Sequence, residues 1–104
     1  MAITGGGQYN EVDNVAYVSG SVSVTNTQIE AKVGASPLSG RQSLIIYNAS
    51  TVTMYVGPTG ITGATNAIPI FPQQERFMSV GENIRVYLIA NTAGPHTAII
   101  QELS

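Results

Sequence analysis

Apolar and polar residues alternate along much of this chain with a period of two. Val22 and Val24 stand between small polar residues, and Ile29, Ala31 and Val33 between Gln28, Glu30 and Lys32. Val52, Met54 and Val56 alternate with Thr53 and Tyr55, and Ile84, Val86, Leu88 and Ala90 with Arg85, Tyr87 and Ile89. Such a period sends one face of an extended chain into a core and the other outward, so it predicts strands. The residue types agree, because Val, Ile, Thr and Tyr suit a pleated, half-buried surface. Leu44, Ile45, Ile46 and Tyr47 form a continuous apolar run. Their β-branched members and flanking turn residues read as a strand buried on both faces. Two more strands are expected over residues 77–80 and 97–103. Val15 and Tyr17 begin the first.

The intervening segments carry turn residues. Gly20 and Asn26 punctuate the first alternating region, and GASPLSGR (residues 34–41) is a loop in which Pro37 holds Ser36 extended. Ala49, Ser50 and Thr51 are expected to join the strands on either side as a hairpin. Residues 57–67 read as a long flexible loop. Pro69 and Pro72 cannot donate to a central ladder, so their segment is an edge or a crossing. Gly81-Glu82-Asn83 reads as a turn, and residues 91–96 as the close of a further hairpin. No segment shows a capped helical repeat. Seven to nine short strands then predict an all-β fold, an antiparallel two-sheet sandwich of jelly-roll or Ig-like type, over residues 15–104. Residues 1–14, polar and carrying Gly5-Gly6-Gly7, read as an extended N-terminal arm.

Composition changes this picture in one direction. The chain has 104 residues, enough for one domain. Only 10% of them are charged, against 43% hydrophobic, where about 25% charged is usual. A surface so thinly charged favours a protein that covers its faces by assembly, and a homotrimer is the expected state. The net charge of −2 argues against a nucleic-acid partner and an anionic membrane surface. There is no cysteine. The first residues lack the basic and apolar regions of a secretion signal, which predicts synthesis and folding in the cytoplasm.

Candidate chemistry is sparse. Asn48-Ala49-Ser50 fits the acceptor pattern for an N-linked sugar, but an asparagine between two strands has a structural use, bonding the backbone two residues on. The turn is the preferred reading. Arg41, one of only four cations, opens the most apolar strand and is expected to be pinned by a carboxylate or by carbonyls. Gly57 ends the following strand as a structural glycine. His96 is the only histidine and has no acidic neighbour in sequence. The acidic residues are scattered, and Glu30 and Glu102 look like the outward face of strands. No catalytic residue, metal ligand or cofactor site is assigned. Tyr47, Tyr55 and Tyr87 lie on predicted strands, where core and sheet packing is the preferred reading. The alternative is an aromatic platform for carbohydrate or a partner protein, with Tyr55 and Tyr87 the candidate partner contacts. On the arm, Ile3, Tyr9 and Val12 are candidate contacts to a neighbouring chain.

Residues 37–60 (PLSGRQSLIIYNASTVTMYVGPTG) and 68–90 (IPIFPQQERFMSVGENIRVYLIA) resemble small β-rich structural proteins of tailed bacteriophages. The shared pattern falls on Leu38, Gly40, Arg41, Leu44, Ile46, Tyr47, Asn48 and Ser50, then Tyr55 and Gly57, Pro69, Ile70 and Pro72, and Tyr87 to Ala90. The resemblance covers about residues 28–103 and leaves the first 27 uncovered. It implies a virion component, made in the host cytoplasm: a capsid decoration or cementing protein bound to the major capsid protein. A tail or head-fibre part, or a carbohydrate-binding module on the virion surface, is the alternative. Where that pattern often has Gly after the second proline, this chain has Gln73, so a different turn is expected there.

Overall fold

The computed structural model describes residues 16–104. Eight strands follow one another: β1 (Tyr17–Val24), β2 (Ile29–Glu30), β3 (Ser43–Asn48), β4 (Met54–Gly57), β5 (Ile68–Ile70), β6 (Glu75–Met78), β7 (Tyr87–Ala90) and β8 (His96–Leu103). They form two four-stranded sheets, ordered β1-β8-β3-β6 and β2-β7-β4-β5. Every pairing is antiparallel. This strand order is that of an eight-stranded jelly roll, two Greek keys wound together. Among the described residues no helix is long and apolar enough to cross a membrane.

The core lies between the sheets. Val24, Leu44, Ile46, Ala98 and Ile100 face Met54, Val56, Ile70, Leu88 and Ala90 across it. On β1 the residues of one parity, from Val18 to Val24, turn inward, while Tyr17 and three serines turn outward. Gly20 does not end the strand as expected; it sits within β1, on the inward face. A Cβ there would lie 3.1 Å from Val33 Cγ1, so this glycine gives Val33 room to approach.

The expected hairpins are the main difference from the sequence reading. β3 and β4 lie in different sheets, so residues 49–53 cross the edge of the sandwich. The same holds for residues 91–95 between β7 and β8. Only β4 and β5 are consecutive strands that pair with each other. Alternation fixes which side chains turn inward, but it carries no information on which strand lies alongside. Pro69 does fall on an edge strand, β5, as its missing N–H requires.

The turn before β6 keeps the geometry that the substitution of Gln73 put in question. Gln74 N–H donates to Phe71 C=O at 3.1 Å, Pro72 is the second residue, and Gln73 has φ +66°. That is a type II turn, whose third position favours glycine. Gln73 is the one non-glycine among the described residues with positive φ. Its side chain accepts from Tyr47 Oη at 2.6 Å and donates to Ser50 C=O at 3.4 Å. Gln73→Gly relieves left-handed strain of about 1–2 kcal/mol and loses these exposed bonds, so its urea midpoint should stay close to that of the parent. Gln73→Val loses the bonds and deepens the strain, costing about 1–3 kcal/mol. Equal midpoints for the two variants would rule this account out.

Candidate functional site

The residues singled out by the sequence do not converge on a reaction centre. Arg41 is buried at the entrance to β3. Its guanidinium donates to Glu102 Oε2 at 2.8 Å, to Gly81 C=O at 3.0 Å and to Ile84 C=O at 2.7 Å. Glu102 also accepts the backbone N–H groups of Val33 at 3.1 Å and Leu38 at 3.2 Å. Both side chains are essentially inaccessible. Together they tie the segments after β2 and before β7 to the end of β8. Glu102 is not on the outward face as expected: it shares parity with Ala98 and Ile100, which are core residues. That parity is the signal that finds it. Glu30 is buried too, paired with Lys32 and Arg85 at 3.3 Å each.

Asn48 is the last residue of β3 and is completely buried. Its Oδ1 accepts from Ser50 N–H at 3.0 Å and from Ser50 Oγ at 2.6 Å. Its Nδ2 donates to Val52 C=O and to Ile70 C=O, both at 2.8 Å. Ile70 belongs to the other sheet, so this amide stitches the sandwich together where the chain crosses. A nitrogen so placed has no hydrogen to spare and no space for a glycan. Gly57 ends β4 beside Ile61, whose Cγ2 would lie 2.6 Å from an added Cβ.

The outer face of the β2-β7-β4-β5 sheet is covered. Ile61 folds back onto Tyr55 and Ile89, with Ala67 and Tyr87 packed alongside. The segment over residues 58–67 is anchored rather than loose. Gly60 N–H donates to Gln28 Oε1 at 2.8 Å and Thr62 N–H to Asn66 Oδ1 at 2.9 Å. This corrects the reading of Tyr55 and Tyr87 as a platform for sugar or a partner. Tyr55 is 9% exposed and its hydroxyl accepts from Asn91 Nδ2 at 3.1 Å; Tyr87 is half-buried.

Among the described residues, nothing comparable covers the outer face of the β1-β8-β3-β6 sheet. Register brings Ile45 beside Phe77, and Tyr47 beside Ile99. Phe77 is 60% exposed and Tyr17 63%. Tyr17 Oη donates to Gln101 Oε1 at 2.8 Å, and Gln101 Nε2 to Ser19 Oγ at 3.3 Å. Among the described residues Glu75 is the single charged residue on this face. A nearly uncharged surface of exposed aromatic, aliphatic and hydroxyl groups has the composition that suits an interface. Sequence reasoning missed it, although Ile45 and Tyr47 share a parity that points away from Leu44 and Ile46.

His96 opens β8, with Nε2 3.0 Å from Thr92 Oγ1 and 3.1 Å from Ala93 C=O. Among the described residues no group of three or more His, Cys, Asp or Glu could hold a metal. Ile3, Tyr9 and Val12 lie outside the described residues.

No protein-family model and no curated protein matches the chain. Among solved structures it is similar to one from the work "Bacillus endospore appendages form a novel family of disulfide-linked pili". The identity is 18%, over 86% of this chain and 83% of that one, with a TM-score of 0.49. The phage reading is corrected here. The structure found is one of bacterial pili and not of a virion; the comparisons give the bacteriophage, virion and capsid-decoration reading, and its major capsid protein partner, no support. This sequence has no cysteine, so these residues cannot form disulfide links.

Proposed function

We propose that this chain is a non-catalytic structural subunit that assembles, copy on copy, into an extracellular structure held by noncovalent contacts. The observation that carries this reading is the asymmetry of the two outer faces. One is covered by the chain's own loop around Ile61. The other, among the described residues, leaves Tyr17, Phe77 and Ile99 exposed with one charge beside them. The polar groups with defined bonding also serve the fold: Arg41, Glu102 and Asn48 are consumed inside it.

Sedimentation at rising concentration tests the proposal and reads the copy number, the homotrimer included. The parent is expected to associate, and Phe77→Lys with Ile99→Lys to weaken association by about tenfold or more. Both positions are outward, so thermal unfolding should change little. A parent that stays monomeric throughout would end the proposal; an associating parent with an equally associating variant would move the contact to another surface. Labelling of intact cells checks the location.

A further inference from the structure

On the side of the sandwich where the edge strands β5 and β6 meet, Arg76 on β6 donates to Pro69 C=O on β5 at 3.0 Å. Beside this staple opens an apolar groove of about 280 Å³, walled by Val56, Ile68, Met78 and Ile84, with Arg76 and Arg85 at its margin. Ile68 and Ile84 are more than half exposed there.

The charges of the chain point to what fills it. The described residues hold four cations and four carboxylates. Lys32 and Arg85 share Glu30, and Arg41 holds Glu102. Arg76 forms no ion pair among the described residues, and Arg85 has half of one. Glu75 and Glu82 form no ion pair among the described residues either, but Glu75 is on the outer face of β6 beside Tyr47 and Glu82 accepts Gly40 N–H at 2.6 Å. The chain's other two acids, Glu11 and Asp13, lie in a stretch that also carries Tyr9, Val12 and Val15. Two acids among three apolar residues match two arginines around an apolar groove.

Reach decides whose segment it is. Ala16 leads into β1, at the opposite edge of its sheet from β6. Three strand spacings separate those edges, about 14 Å. Register also sets Arg76 level with Gly20, four residues along the strand from Ala16, so the direct path is about 19 Å. Asp13, three residues before Ala16, spans at most about 11 Å and Glu11, five residues before it, at most about 18 Å, so the chain's own stretch reaches only when fully extended. We infer that the groove receives the stretch around residues 9–15 of a neighbouring copy, with Glu11 and Asp13 against Arg76 and Arg85. The inference rests on the self-assembly reading above and names a second contact of it, separate from the bare sheet face.

The test is a charge exchange in the full chain. One variant carries Glu11→Arg and Asp13→Arg, the other Arg76→Glu and Arg85→Glu. Each alone sets like charges against each other and should associate about tenfold less tightly than the parent at low salt. Mixed, each variant's segment meets a groove of opposite sign, and association should return. A chain carrying all four changes should also associate. Parent-like association of both variants overturns the inference while leaving the assembly reading intact. So does recovery seen only with all four changes on one chain, which would mean that each copy fills its own groove. A parent that never associates removes both. Thermal unfolding checks the groove variant; if it does not fold, the first variant, altered outside the described fold, decides alone, and undiminished association by it overturns the inference.

Discussion

Glu102→Gln will destabilise the protein by about 3–5 kcal/mol, seen as a fall in the denaturant midpoint. The substitution is nearly isosteric, so the loss is electrostatic. Arg41 keeps its charge in a site where its side chain has 0% exposure, and the new amide N–H₂ has donors around it rather than acceptors. Arg41→Met should cost a comparable amount, because it strands the carboxylate and frees the carbonyls of Gly81 and Ile84. Arg41→Met combined with Glu102→Leu removes both charges and should cost clearly less than the losses of Arg41→Met and Glu102→Leu summed. It still falls short of the parent, since the N–H groups of Val33 and Leu38 lose their acceptor. Strictly additive losses would show that the two groups do not act as a pair.

Asn48→Ala is the second large effect. It leaves the buried carbonyl of Ile70 without this donor, at about 1–3 kcal/mol for a group buried and unpaired, while Val52 C=O loses one donor and keeps Ser50 Oγ at 3.1 Å. Asn48→Asp should be worse, because a carboxylate oxygen would then face those carbonyls. Asn48→Gly brings no relief relative to alanine. Residue 48 is in a strand and does not have positive φ, so glycine's freedom has nothing to correct and adds the entropy of a looser unfolded chain. Denaturant titration of the three variants orders them. A glycine variant as stable as the parent would mean that the amide's bonds do not hold the crossing.

The sandwich was legible because alternation survives in a chain with few charges to obscure it. Met54, Leu88 and Ala90 are core residues for the reason the pattern gives, whereas the run from Leu44 to Tyr47, read as buried on both faces, buries Leu44 and Ile46 and leaves Ile45 and Tyr47 partly exposed. Pairing was not legible. A short loop such as Ala49-Ser50-Thr51 has the same composition whether it closes a hairpin or crosses between sheets, and here it crosses. Glu102 was misplaced because a charged residue near a strand end was weighed by type, whereas its parity with Ala98 and Ile100 places it inside. Tyr55 and Tyr87 looked available because nothing in sequence announces that Ile61 will fold back over that sheet. The bare face fails to stand out for the opposite reason: Ile45, Phe77 and Ile99 are distant in the chain and meet only through the order β8-β3-β6.

The loop around Ile61 has a further effect on how copies can add. Among the described residues it leaves one open sheet face in place of two. A contact between two such faces uses the same patch on both partners, is two-fold symmetric, and stops at a pair. Stacking by sheet faces alone therefore cannot propagate. A segment of one copy seated in the groove of the next joins two different patches, a heterologous contact, and that kind repeats until it closes a ring or runs on as a helix. The covered face thus limits growth to a direction, and the rotation between successive grooves would decide whether that direction ends in a ring or a fibre.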